Sequence, residues 1–146
     1  MDLRWLSTHL KIKTLADIFR LVLGIVFFVS AVPKIINPID FAINVSGYEL
    51  FPQFMVPLIS LFMPFLELVL GFLLISNVWT KTTVLLTIYL YIAFTGILIY
   101  ALIAGLEINC GCFSQDPGEV SSLGLRLVED IIFLIAALWI FVDIKK

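Results

Sequence analysis

The run LADIFRLVLGIVFFVSAVPKII, from Leu15 to Ile36, decides the fold class. It is about 20 residues long and almost wholly apolar, and at about 1.5 Å of rise per residue it crosses about 30 Å of hydrocarbon as one helix. Asp17 and Arg20 mark its entry, Pro33 and Lys34 its exit, and Asn37-Pro38 stops it. The rest of the chain agrees with lipid as the solvent. Of 146 residues 62% are hydrophobic and 14% charged, and mean hydropathy is +1.13. Soluble domains run at about 45 to 50% apolar and about 25% charged. A formal net charge of -2, with no basic stripe interleaved by aromatics beyond the N-terminal tail, gives no footprint for nucleic acid.

Upstream of this run, Met1 to Thr14 carries Arg4, Lys11 and Lys13 around Trp5, Leu6 and Leu10. It reads as an amphipathic piece on the headgroups, anchored by Trp5. His9 stands alone there, without a second imidazole or a cysteine near in sequence, and reads as a surface histidine rather than a metal ligand. The following apolar run is longer than a signal-peptide core and no small-residue cleavage site closes it, so a cleaved leader is not expected.

Downstream, Pro38 to Gln53 mixes Phe41, Tyr48 and Phe51 with Asp40, Asn44 and Glu49, and is expected to form an interfacial helix and turn. Phe54 to Asn77 is a second span with Pro57 and Pro64 in its first half, whose freed carbonyls need neighbours. The tight turn Trp79-Thr80-Lys81 makes the third span, Thr82 to Ala104, its antiparallel neighbour. Gly105 to Ser121 is a polar loop with the turn signal Asp116-Pro117-Gly118, and Ser122 to Val142 is a fourth span. The expectation is a single all-α integral membrane domain over residues 1–146, a four-transmembrane-helix bundle. With both termini on one side, Arg4, Lys11, Lys13, Arg20, Lys81, Lys145 and Lys146 collect there, and only Lys34 and Arg126 lie toward the other. The positive-inside rule then makes the termini cytoplasmic and turns the 105–121 loop to the periplasm or cell exterior, where disulfides persist.

That loop holds both cysteines, in Asn109-Cys110-Gly111-Cys112-Phe113. Gly111 has the backbone freedom to let two sulfurs at i and i+2 meet, and the resulting strained ring has a raised reduction potential suited to exchange. A purely structural bridge would close almost no loop and stabilise little. A metal site would need ligands beyond two thiolates, and His9 is expected on the opposite side of the membrane. One pair can only pass electrons on, so a partner or cofactor must take or supply them.

A second set of residues is polar where the bilayer is not. Glu67 lies well inside the second span, and Arg126, Glu129 and Asp130 share one face of the fourth at i, i+3 and i+4. A charge at the bilayer centre costs at least about 2.5 to 3.5 kcal/mol, so these groups are expected to turn inward and pair with Lys34 or Arg126. Three acids against two cations leave one carboxyl in excess. The cluster reads either as a salt-bridged knot holding helices together or as a proton-handling site, and the two are compatible. Tyr89, Phe94 and Tyr100 read as span packing or as the lining of a quinone pocket.

Three segments carry a resemblance: Ala31-Val32-Pro33-Lys34-Ile35-Ile36-Asn37-Pro38, Met63-Pro64-Phe65-Leu66-Glu67-Leu68-Val69-Leu70-Gly71, and Cys110-Gly111-Cys112-Phe113. Together they resemble the methylamine utilisation MauE family, within the wider DoxX-like membrane proteins, over nearly the whole chain. Many DoxX-like proteins share the span patterns without cysteines, and the Cys-Gly-Cys-Phe is what points to MauE; Ser114 stands where members often have glycine. The resemblance implies a four-helix membrane protein working with an extracytoplasmic thioredoxin-like partner in disulfide chemistry during maturation of secreted enzymes. It makes Cys110 and Cys112 the exchange pair, and Lys34 and Glu67 the family's intramembrane polar positions. In outline the bundle is also similar to DsbB and vitamin K epoxide reductase, which pass thiol electrons to quinone with more than one cysteine pair. The competing reading is a non-redox membrane chaperone or small-molecule permease whose path the polar cluster lines.

Overall fold

A computed structural model describes residues 3–106 and 123–145, with side chains from Leu15 onward. Among them are five helices and no strands: α1 (Leu3–Ile36), α2 (Pro38–Gly47), α3 (Val56–Ser76), α4 (Thr80–Ile103) and α5 (Leu123–Lys145). Three are long and apolar enough to cross a membrane: Leu15–Ile36 within α1, then α3 and α4. α5 is of similar length but carries Arg126, Glu129 and Asp130 in its first third and is correspondingly more polar.

The polar N-terminal segment is continuous with the first span in one 34-residue helix, rather than a separate element. Neither proline nor glycine occurs from Leu3 to Leu23, so no residue breaks the backbone hydrogen-bond ladder where the apolar run begins. Pro33 lies inside the last turn of α1, and Pro38 opens α2 at a position where its missing N–H has no intrahelical acceptor anyway. Asn77 ends α3 in the left-handed conformation, φ 58°, which asparagine tolerates better than most residues. Thr80 Oγ1 donates to Asn77 Oδ1 at 2.6 Å and so ties the start of α4 to the end of α3.

Packing makes α1 the organising helix. Its most extensive neighbour is α3, α5 covers a second side, and α4 lies against α5. Facing pairs give the directions. Gly24 meets Gly71 and Ile75 while Lys34 meets Glu67, so α1 and α3 are antiparallel; Tyr91 meets Phe133 while Thr95 meets Asp130, so α4 and α5 are too. Leu23, Phe27, Leu74, Val84, Ile88, Tyr91, Ala137 and Ile140 form the common core. A Cβ on Gly71 would come within 2.9 Å of the Gly24 carbonyl oxygen, so glycine lets two helix backbones touch where lipid supplies no hydrophobic drive for association. Large apolar side chains such as Phe62, Phe65, Phe72 and Ile92 are exposed on the outside, as lipid-facing surfaces require.

This arrangement brings one set of ends together. The C-terminal ends of α1 and α4 and the N-terminal ends of α3 and α5 lie at the same end of the bundle, and α2 packs across α3 and α1 there. Residues 107–122 connect α4 to α5 at that end, and Cys110 and Cys112 fall among them, outside the described residues.

Candidate functional site

Two apolar helices deliver opposite charges to one buried point. Lys34, on the last turn of α1, is 1% exposed, and Glu67, midway along α3, is 3% exposed. The Lys34 ammonium donates to Glu67 Oε1 at 2.7 Å, to Oε2 at 2.8 Å and to Ser30 Oγ at 3.1 Å. An ammonium has three N–H groups, and each finds an acceptor. Ser30 sits one turn before Lys34 on the same face of α1 and in turn donates to Glu67 Oε2 at 3.5 Å. The rings of Phe41 from α2 and Phe94 from α4 lie 5.2 and 5.7 Å from the Lys34 nitrogen, and at that range a π-face adds attraction for a desolvated cation.

Beside the pair lies a small cavity of about 50 Å³ lined by Ser30, Lys34, Glu67, Tyr91, Phe94 and Asp130, among others. One water needs about 10 to 15 Å³, so a few fit. Asp130 comes from α5 and accepts a hydrogen bond from Thr95 Oγ1 of α4 at 3.2 Å. It lies within electrostatic reach of both Lys34 and Glu67, so three helices contribute one charge each to the cavity wall. At the outer edge, burial pushes the phenol of Tyr48, just beyond α2, up to about 12, and the Asp130 charge adds to the effect. That hydroxyl remains protonated throughout the physiological range.

The five polar residues expected to cluster therefore divide. Lys34, Glu67 and Asp130 line one cavity, whereas Arg126 pairs with Glu129 one turn away at 2.9 Å, with Glu129 39% exposed. Of the three aromatics singled out, Phe94 lines the cavity; Tyr89 and Tyr100 are 64% and 45% exposed on the outside of α4. Ser30 and Thr95 were missed. A small hydroxyl in an apolar run carries no signal by itself, although the i, i+4 spacing of Ser30 to Lys34 places it on the charged face. Phe94 also borders a larger, mostly apolar cavity of about 260 Å³ between α2, α3 and α4, where Phe41, Asn44, Tyr48, Phe51 and Met63 contribute walls.

Chemically, the inner cavity combines a fixed cation, two carboxylates and room for water in surroundings of low dielectric. Such a set can hold and relay a proton. A family model described as methylamine utilisation protein MauE matches residues 12–143. No curated protein and no solved structure matches the chain.

Proposed function

The chain belongs to the methylamine utilisation MauE family, and from that premise we propose that this membrane protein exchanges disulfides through Cys110 and Cys112 with an extracytoplasmic thioredoxin-like partner during maturation of secreted proteins. The observation that carries the proposal is the position of the charged cavity. Lys34, Glu67 and Asp130 lie toward the end of the bundle that holds the C-terminal end of α4 and the N-terminal end of α5, the two helix ends between which both cysteines fall in sequence.

In the proposed reaction a thiolate of the partner attacks one sulfur of the Cys110–Cys112 bond. The attack forms a mixed disulfide and releases the other cysteine as thiolate. The partner's second thiolate then attacks its own sulfur in the mixed bond, leaving the partner oxidised and both cysteines reduced. Two electrons and two protons enter the Cys110–Cys112 pair. Asp130 and the waters its cavity admits take up or return the protons, and the Lys34–Glu67 pair holds the local charge fixed while they move.

The electrons then need an acceptor that dissolves in lipid, and a quinone has the right electron and proton count. The walls of the larger cavity fit one: Phe41, Phe51, Met63 and Phe94 supply apolar and aromatic surface, and Asn44 and Tyr48 supply polar atoms. When bound there it would accept two electrons and two protons. In this reading α5 is the fourth span. Its 23 residues rise about 34 Å as a helix, and in its first third Arg126 pairs with Glu129 and Asp130 accepts from Thr95 of α4. The termini are cytoplasmic in the cell (inner) membrane and the cysteine segment faces the periplasm or cell exterior. A cavity with room for only a few waters favours proton handling over passage of a metabolite, the permease alternative.

Trapping tests the proposal. With Cys112→Ser, or with Cys110→Ser, the remaining thiol is expected to accumulate as a mixed disulfide with an extracytoplasmic thioredoxin-like protein, resolved by mass spectrometry after acid quench. If neither variant traps one, and the wild-type pair keeps one oxidation state while secreted substrates mature, the redox reading is wrong.

A further inference from the structure

We propose that the opposite end of the bundle holds a binding site for a phospholipid headgroup that carries both a phosphate and a primary ammonium. The observation is Arg20. It lies on α1 five residues into the first span, with its side chain only 11% exposed. Among the described residues its ion-pair contact is Nη2 to Asp17 Oδ1 at 3.4 Å, with Asp17 itself 64% exposed. Charge-assisted N–H···O bonds are normally about 2.7 to 2.9 Å, so this contact is long. Nε and Nη1 are buried without a hydrogen-bond partner among the described residues. Each of the two edges by which a guanidinium grips an oxyanion therefore keeps an unpaired N–H, at a depth where an unpaired donor is costly.

Arg20 lines a cavity of about 510 Å³ together with Asp17, Asn77, Thr80 and Asp143. The cavity lies where the α3–α4 turn, the end of α5 and the first span meet, on the far side of the core from Lys34. Trp79 is 79% exposed beside it, and Trp139 packs edge-on against Phe19 at 5.6 Å. Indole rings favour headgroup depth, so these two mark the level of the lipid phosphates. Three features then select the ligand. The guanidinium calls for an oxyanion, phosphate above all. The carboxylates of Asp17 and Asp143 oppose a purely anionic ligand but suit a cation placed beyond the phosphate. Carboxylates accept N–H donors, which a primary ammonium has and a quaternary one lacks. A phosphoethanolamine headgroup meets all three; its acyl chains would leave over the apolar sides of α1 and α5.

The full-length protein in mild detergent, titrated with phosphatidylethanolamine, phosphatidylcholine and phosphatidylglycerol of matched acyl chains, tests this by native mass spectrometry. Wild type is expected to retain the ethanolamine lipid about tenfold more tightly than the other two, the equivalent of one charge-assisted bond. Arg20→Gln is expected to abolish that preference and Lys81→Gln to leave it intact. Asp143→Asn, at a half-buried position that tolerates the isosteric amide, narrows the gap between the ethanolamine and glycerol lipids and keeps the test decisive should Arg20→Gln fold poorly. Equal retention of all three lipids by wild type overturns the proposal, as does unchanged preference in Asp143→Asn together with Arg20→Gln. Thermal stabilisation by free phosphoethanolamine or inorganic phosphate, without any lipid preference, reassigns the site to a soluble phosphate compound and overturns the lipid assignment.

Discussion

Lys34 of α1 and Glu67 of α3 form a two-pronged ion pair, 2.7 and 2.8 Å between charged atoms, with both side chains almost wholly buried. Removing one member strands the other in apolar surroundings, which in buried pairs costs about 3 to 5 kcal/mol. Lys34→Met leaves Glu67 facing Asp130 across the cavity with no cation between them. It is expected to lower the melting temperature in detergent more than the double variant Lys34→Met/Glu67→Leu, in which no charge is stranded. Equal melting of the single variant and wild type would show that the pair contributes nothing to holding α1 on α3.

Gly71 gives a sharper steric test. An added Cβ would lie 2.9 Å from the Gly24 carbonyl oxygen and 3.2 Å from Phe27 Cβ, and a helix backbone cannot give way as a flexible side chain can. Gly71→Val is expected to separate α1 from α3 and to destabilise by about 1 to 3 kcal/mol, the range of overpacked cores. Gly96, with nothing within 4 Å of an added Cβ, serves as the control: Gly96→Ala should melt as wild type or slightly higher, because alanine is the better helix former. A loss at Gly96→Ala matching that at Gly71→Val would mean that the close approach of α1 and α3 at Gly71 does not set the cost.

Much of this architecture could be read from hydropathy, because lipid leaves a chain few options: the expected spans at 15–36, 54–77 and 82–104 fall on α1, α3 and α4. Partner choice was harder to read. Two cations and three acids allow several pairings, and a periodic pattern gives no distance between helices. The geometry pairs Lys34 with Glu67 and Arg126 with Glu129, and leaves Asp130 to Thr95. Short range decided the second pair, since Glu129 is one turn from Arg126; helix packing decided the first. Gly24 and Gly71 were likewise silent in the sequence, because a glycine in an apolar run becomes informative only once its neighbour is known. Arg20 was read as the border of a span, and its unpaired N–H groups emerged only when the neighbouring helices were in place.

Asp130 is expected to matter for proton transfer more than for stability. General acid–base groups typically contribute about 10²- to 10⁴-fold to a rate. Asp130→Asn keeps an acceptor for Thr95 Oγ1 but cannot take up a proton, so reduction of the proposed Cys110–Cys112 bond by dithiothreitol is expected to slow by about a hundredfold. Glu129→Gln, at the more exposed partner of Arg126, is expected to change the rate less than threefold. The pH profile separates the roles: corrected for the reductant's own thiolate fraction, loss of a proton-handling group flattens it in Asp130→Asn, whereas a merely structural defect lowers the rate equally at every pH.

The side of the membrane reached by each end of α5 bears on both proposals, because the first has the cysteine segment meet an extracytoplasmic partner and the second has Arg20 meet the opposite leaflet. Lys81, at the start of α4, and Lys145, at the end of α5, are exposed at the bundle end away from Lys34. If α5 crosses, an impermeant maleimide applied to intact cells labels Cys110 and Cys112 after reduction. In a background with both native cysteines replaced by serine, Lys81→Cys and Lys145→Cys are expected to stay unlabelled until the membrane is permeabilised. Labelling of Lys145→Cys but not Lys81→Cys in intact cells would mean that the charged first third of α5 keeps it from spanning. Labelling of both from outside would invert the whole bundle and place the cysteines in the reducing compartment, where a Cys110–Cys112 disulfide does not persist.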